Sequence, residues 1–219
     1  MATAESVKQK IQGLISNANN TTGNTDVTLT DAVNSLIAGF GTGENEIVQF
    51  IENKITNFSN EELTAISDYG FAGKDNMQSL NIPNVVSVGG FVFENCDALT
   101  EIHFEKHVTF GAESQASFSF KGAKNAVKIE FNDGFAFSNN SQFIFYNMTN
   151  LKAVIIRGDN VSQLNNAGHF NGSSIKNGTG YIYVPAVLVD QYKAATNWVT
   201  IADQIRAIED YPEITGGAA

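Results

Sequence analysis

This chain of 219 residues has one cysteine, three prolines, one tryptophan and three histidines. A lone cysteine, Cys96, excludes an intramolecular disulfide, so apolar packing has to hold the fold. Cations are scarce: 13 Lys plus Arg stand against 23 Asp plus Glu, for a net charge of −10 and a pI near 4.6. A surface of that sign offers no cation cluster to a nucleic-acid backbone or to anionic lipid. Long apolar runs are missing as well. No stretch approaches the ~18 residues that span a bilayer, and residues 1–9 lack the apolar core of a secretory signal. The expectation is a protein with no nucleic-acid partner and no membrane insertion. Only 16% of residues are charged, yet there are 25 asparagines. Polarity therefore comes largely from amides, which suit turn-rich β structure.

What the sequence does have is a beat. Phe71, Phe93, Phe120, Phe145 and Phe170 follow one another at steps of 22, 27, 25 and 25 residues. A period of that size marks a stacked-repeat architecture. Two residues after each Phe stands a turn-former: Gly73, Asn95, Gly122, Asn147, Gly172. Nine and eleven residues after the first four stand the pairs Leu80/Ile82, Ile102/Phe104, Ile129/Phe131 and Val154/Ile156. The fifth pair, Ile182/Val184, comes late, so its unit carries an insertion near Asn177-Gly178. Apolar residues two apart share one face of a strand, and Gly or Asn tolerates a corner's backbone. Each unit reads as corner, turn and strand. No unit buries its apolar face alone, and stacking lets the phenylalanines form one spine.

The run Val86-Ser87-Val88-Gly89-Gly90-Phe91-Val92-Phe93, continued by Glu94-Asn95-Cys96-Asp97-Ala98-Leu99-Thr100-Glu101-Ile102-His103-Phe104, resembles the BspA-like leucine-rich repeat. Phe145-Tyr146-Asn147-Met148-Thr149-Asn150-Leu151-Lys152-Ala153-Val154-Ile155-Ile156 is a second good copy. Phe120 to Phe131 is looser, with Val127 near the usual Leu position, and Phe71–Ile82 and Phe170–Val184 are worn end copies. The resemblance covers about residues 47–184. It implies an α+β fold: a leucine-rich-repeat (BspA-like) solenoid of about five repeats, with short helical segments at both ends. Tyr181-Ile182-Tyr183-Val184-Pro185 and the run from Val189 to Ile205 resemble that family's terminal helix and cap. Residues 7–41 are similar to the opening segment of phage and prophage tail-associated proteins of Gram-positive hosts, which commonly precedes such repeats.

The organisation read from the sequence is therefore 1–44 as an N-terminal helical attachment segment, 45–184 as repeats, and 185–219 as helical cap and tail. In the first segment Val7, Ile11, Leu14 and Ile15 fall at helical spacing, as do Val33, Leu36, Ile37 and Phe40. Thr30 is placed as an N-cap, and Gly39 and Gly41 as stops. Helices this short do not hold alone in water. Their stripes must pack on the first repeat, on a copy of the same chain or on a virion protein, and the expectation is attachment and a homo-oligomer. Gly39-Phe40-Gly41-Thr42-Gly43 lacks the preceding strand and following Lys-Ser/Thr of a phosphate loop, and reads as a hinge. In the last segment, residues 185–209 read as two short helices with Val189 and Tyr192, then Ile201, Ile205 and Ile208, facing inward, and 215–219 as a loose tail.

Candidate chemistry is thin. His103, Glu105 and His107 alternate along one strand and its exit, a spacing that could present a metal, but a solvated strand face accounts for them. Glu101, Glu105 and Glu130 lie on neighbouring strands without an apolar pocket to raise one pKa, as glycoside chemistry needs. Cys96 falls at an inward position, as a packing residue. The expectation is no catalytic residue, no metal and no cofactor. The outward strand positions remain as a binding face: Asn81, His103, Glu130, Ile155 and Tyr183 in one column, with Glu105, Asn132 and Arg157 after it. The column before it holds Ser79, Glu101, Lys128, Ala153 and Tyr181. Together with the resemblance, these imply a non-enzymatic virion protein, tail-associated, that presents its repeats to a host-wall glycan, a surface protein or another virion subunit. The alternative is a bacterial surface or secreted adhesin.

Overall fold

A computed structural model describes residues 53–111, 118–138 and 141–216. The attachment stripe from Val7 to Phe40 and the hinge lie outside the described residues. The chain separates into units of residues 1–55 and 56–219, and the second holds every described strand and helix.

Among the described residues there are eleven short strands; the first nine alternate between two sides of the repeats, and the last two stay on the side of the ninth. On one side β5 (Glu101–Phe104), β7 (Lys128–Phe131), β9 (Ala153–Ile156), β10 (Tyr181–Val184) and β11 (Ile205–Ala207) form a parallel sheet in the order β11-β10-β9-β7-β5. On the other, β2 (Ala65–Ile66), β4 (Ser87–Val88), β6 (Val108–Phe110) and β8 (Phe135–Phe137) form a four-stranded parallel sheet. β1 (Asn57–Ser59) and β3 (Ser79–Asn81) pair separately. All these ladders are parallel, as they must be when each strand is followed by a full circuit of chain before the next.

The expected pairs do point inward. Ile102, Phe104, Ile129, Phe131, Val154, Ile156, Ile182 and Val184 are buried, while Leu80 is half-buried beside buried Ile82. Between the sheets the five phenylalanines form the predicted spine. Phe71–Phe93, Phe93–Phe120, Phe120–Phe145 and Phe145–Phe170 stack at centroid distances of 5.9, 5.2, 5.4 and 4.7 Å, with ring planes within 9°. The spacing follows from the backbone, because the Phe93, Phe120 and Phe145 amides donate to Ser119, Ile144 and His169 carbonyls of the next circuit. The predicted turn-formers all take positive φ: Gly73, Asn95, Gly122, Asn147 and Gly172 at 72°, 59°, 87°, 57° and 72°. Six residues after the spine, Met77, Leu99, Ala126 and Leu151 are buried. In the third repeat the leucine position is thus taken by Ala126, and the expected Val127 faces out.

The C-terminal segment departs from expectation. A 3-10 turn (Ala186–Leu188) leads into α1 (Val189–Ala194), and a second 3-10 stretch runs from Trp198 to Gln204. Trp198 closes the spine, 6.1 Å from Phe170 and 6.3 Å from Phe135, its indole N–H donating to the Ser162 carbonyl. The chain then forms a strand, β11, where a helix was expected. Residues 208–210 and α2 (Pro212–Thr215) follow. Ile208 does not join the inner core with Ile201 and Ile205. It packs with Tyr211 on the outer face of the sheet, against Ala153, Ile155 and Tyr183. Thr215 is buried, its hydroxyl set against the carbonyls of Ile208 and Tyr211, so the chain is held in place where the loose tail was expected to start.

Candidate binding site

The register of the five-stranded sheet lines up its outward side chains in rows. Glu101, Lys128, Ala153 and Tyr181 form one row, and His103, Glu130, Ile155, Tyr183 and Arg206 the next. Asn132 and Arg157 extend the ladder past the strand ends, their amides donating to Phe104 and Phe131 carbonyls. Asn81 belongs elsewhere, on β3, its side-chain amide donating to the Ser59 hydroxyl.

The face has two halves. It is charged on both β5 and β7, open on β5 and half-buried at Lys128 and Glu130 of β7. Lys128 sits 2.6 Å from Glu101, the Asn132 side-chain amide donates to Glu105 over 2.5 Å, and His103 Nε2 lies 3.7 Å from Glu105. Exposed pairs of this kind add little stability, so this half presents polar groups more than it holds the fold. On β9 and β10 the expectation fails. Ile155 is 0% and Tyr183 2% exposed, because the 208–215 segment covers them. Arg157 fastens that cover: its guanidinium donates to Glu130 and to the Thr215 carbonyl. A cation between a carboxylate and a carbonyl makes charge-assisted bonds, stronger than neutral ones.

Where β10, β11 and this cover meet lies a cleft of about 490 Å³. Tyr181, Tyr183, Tyr211, Arg206, Lys152 and Glu213 line it. The Arg206 guanidinium lies 4.6 Å above the Tyr181 ring, and Tyr211 meets Tyr183 edge-on at 5.4 Å. Burial pushes the Tyr183 hydroxyl above its ordinary pKa, so it stays a neutral donor. Of the cleft residues, the sequence reading placed Tyr181 and Tyr183 on the outward strand face. Arg206 and Tyr211 escaped it because β11 was unrecognised.

The other candidates settle into structural places. The ring Nδ1 of His107 lies 2.8 Å from the Asp133 carbonyl, and among the described residues no three His, Cys, Asp or Glu are grouped to hold a metal. Glu101 and Glu130 pair with Lys128 and Arg157. Cys96 is buried, its thiol 3.1 Å from the Phe71 carbonyl, and burial pushes its pKa up to about 12.

One column was missed altogether. Tyr69, Phe91, Phe118 and Phe143, each two residues before a spine Phe, have φ of 61°, 55°, 64° and 56°. Bulky residues rarely adopt this left-handed backbone. Here stacking at 5.0, 5.4 and 5.3 Å gives an outer, partly exposed aromatic ladder, with Lys121 Nζ 5.3 Å from Phe118. The repeated aromatic at that offset was a legible signal.

The family model for the BspA type leucine-rich repeat region matches residues 64–181 in six copies, where the Phe beat counted five. No curated protein matches the chain.

Proposed function

The chain belongs to the BspA-type leucine-rich-repeat family, and from that premise we propose that it is a non-catalytic binding protein. In this reading its repeats stack as a solenoid and recognise a partner through the open half of the sheet. The observation that carries the proposal is the contrast between the two halves of one face. Glu101 and His103 on β5 and Glu105 just past its end stay exposed, while the same face on β9 and β10 is covered. Polar side chains fixed at strand spacing on a rigid sheet lose little entropy on binding, and repeat proteins use such surfaces for recognition.

The partner we propose is a host-wall glycan, a surface protein or another virion subunit. The protein's place is a phage tail, with residues 1–44 as the attachment and self-association segment. The support is the likeness of residues 7–41 to tail-associated openings. A second reading, a bacterial surface adhesin, is favoured by the family match itself.

Binding of the full chain to purified Gram-positive cell walls and to isolated tails tests this. The double variant Glu101→Lys, Glu105→Lys should lose at least about tenfold in affinity, a change of about 1.4 kcal/mol, at unchanged Tm. Unchanged binding would rule out the β5–β7 face. Binding to tails but not walls would make it a virion subunit contact, and co-sedimentation with neither would sink the tail placement.

A further inference from the structure

The cleft beside the cover has a chemistry distinct from the open half of the face. The protein carries −10 overall, yet Lys152 and Arg206 face this cleft against the single carboxylate of Glu213. Two cations less one anion leave it with a net charge of +1. Lys121, Lys128 and Arg157 each sit beside a carboxylate, at 3.5, 2.6 and 2.5 Å. Among the described residues, Lys152 and Arg206 form no such ion pair.

Arg206 is also pre-oriented. Its Nη1 donates to the Asp203 and Ile205 carbonyls over 2.7 and 2.9 Å, while Tyr181 supports its plane. A guanidinium fixed in this way loses little freedom on taking a carboxylate. Around it stand three tyrosines, whose rings offer apolar faces and whose hydroxyls bond. Thr179 and Glu213 add a hydroxyl and a carboxylate acceptor. A volume of about 490 Å³ is in the range of small-molecule sites.

We propose that this cleft binds an acidic saccharide unit, one pyranose bearing a carboxylate. Arg206 and Lys152 take the carboxylate, the tyrosine rings pack against the sugar's C–H edges, and Glu213 accepts from its hydroxyls. A net charge of +1 matches a monoanion better than a phosphate dianion, and the mixture of donors and acceptors excludes a purely apolar ligand. The inference rests on the reading of the chain as a binding protein and adds the class of ligand to it.

Saturation-transfer NMR on the full chain tests it, with glucuronic, galacturonic and N-acetylmuramic acids as probes and glucose, galactose and N-acetylglucosamine as their neutral partners. At least one acid should receive saturation on its ring protons, and its neutral partner should bind about tenfold more weakly or not at all. Arg206→Gln should lose at least about tenfold of that affinity. Where Arg206→Gln lowers Tm, the exposed Lys152→Glu, which turns the cleft net negative, should give the same loss. No transfer to any acid, equal binding of acid and neutral sugar, or full binding by the Lys152→Glu variant overturns the proposal. Wall binding lost in the β5 double variant but kept in Arg206→Gln, with no acid bound, would sink the cleft and leave the broader reading standing. Acid binding lost in Arg206→Gln, with no wall bound at all, would do the reverse.

Discussion

Phe120→Ala tests the spine where it is most enclosed. Phe120 is 0% exposed and stacks on Phe93 at 5.2 Å and Phe145 at 5.4 Å. Phe110 meets its edge at 5.6 Å and Phe104 at 6.4 Å. A buried aromatic removes about 150–250 Å² from water, worth about 4–6 kcal/mol at ~25 cal/mol per Å², of which alanine keeps a part. Two broken stacks add about 0.5–1.5 kcal/mol each, and partial collapse of the hole returns some of that. The expected loss is about 4 kcal/mol, within the usual ~3–5 kcal/mol for such truncations. With a urea slope of about 2 kcal/mol per M, the midpoint should fall by about 2 M. Val187→Ala, at a residue 82% exposed, is the control and should change stability by less than about 0.5 kcal/mol. Urea titration followed by far-ultraviolet circular dichroism measures both. A loss under about 1 kcal/mol for Phe120→Ala would refute the register of the spine.

Three further outcomes are expected. Gly122→Ala should cost about 2–3 kcal/mol, because φ is +87° and a Cβ would come 2.9 Å from the Asn95 backbone nitrogen; Gly73→Ala, at φ +72° with open space, should cost only the ~1 kcal/mol of left-handed strain. Equal losses in thermal denaturation would mean the close approach is not felt. His169 is buried against Phe137, its Nε2 2.6 Å from Asn165 Oδ1 and its Nδ1 accepting from the Ile144 amide, and burial pulls its pKa from 6.5 down to about 4. The unfolded chain takes the proton first, so stability is full above pH 6.5 and drains away as pH falls towards 4, by about 2 kcal/mol at pH 5. Urea midpoints at pH 7 and 5 check this, and His169→Gln should flatten the slope. Cys96 should not react with a thiol reagent under native conditions and should react fully in urea; rapid native labelling would contradict its packing role.

What was legible in the sequence was whatever the repeat enforces. A parallel stack puts equivalent residues of successive circuits on top of one another, so Phe93, Phe120 and Phe145 could be placed from their spacing alone. The same logic placed the turn-formers from Gly73 to Gly172 and the inward pairs from Ile102 to Val184. The second sheet was less visible, because its strands are two or three residues long and too short for alternation to register. The left-handed column from Tyr69 to Phe143 ran against backbone preference, which stacking overrides. β11 was hidden within a segment that reads as helix, because its three residues draw their bonds from β10 and not from a local pattern.

The outward face of the sheet shows most clearly where periodicity stops informing. Alternation told which side of each strand faces outward, and it was right for His103, Glu130, Ile155 and Tyr183 alike. It could not tell what lies against that side. The clue was compositional: along one row the side chains pass from His103 and Glu130 to Ile155 and Tyr183, from groups that favour water to groups that do not. An apolar half-row needs a cover, and Ile208, Tyr211 and Thr215 supply it from residues more than 50 positions beyond Ile155 in sequence. Arg157 stands at the boundary, joined to Glu130 on the open side and to the Thr215 carbonyl on the covered side. The cover therefore does two things at once. It removes β9 and β10 from the solvent-facing side of the sheet, leaving the polar rows of β5 and β7, and it brings Tyr211 and Glu213 up to Tyr181 and Arg206 to make a cleft that no repeat could form alone.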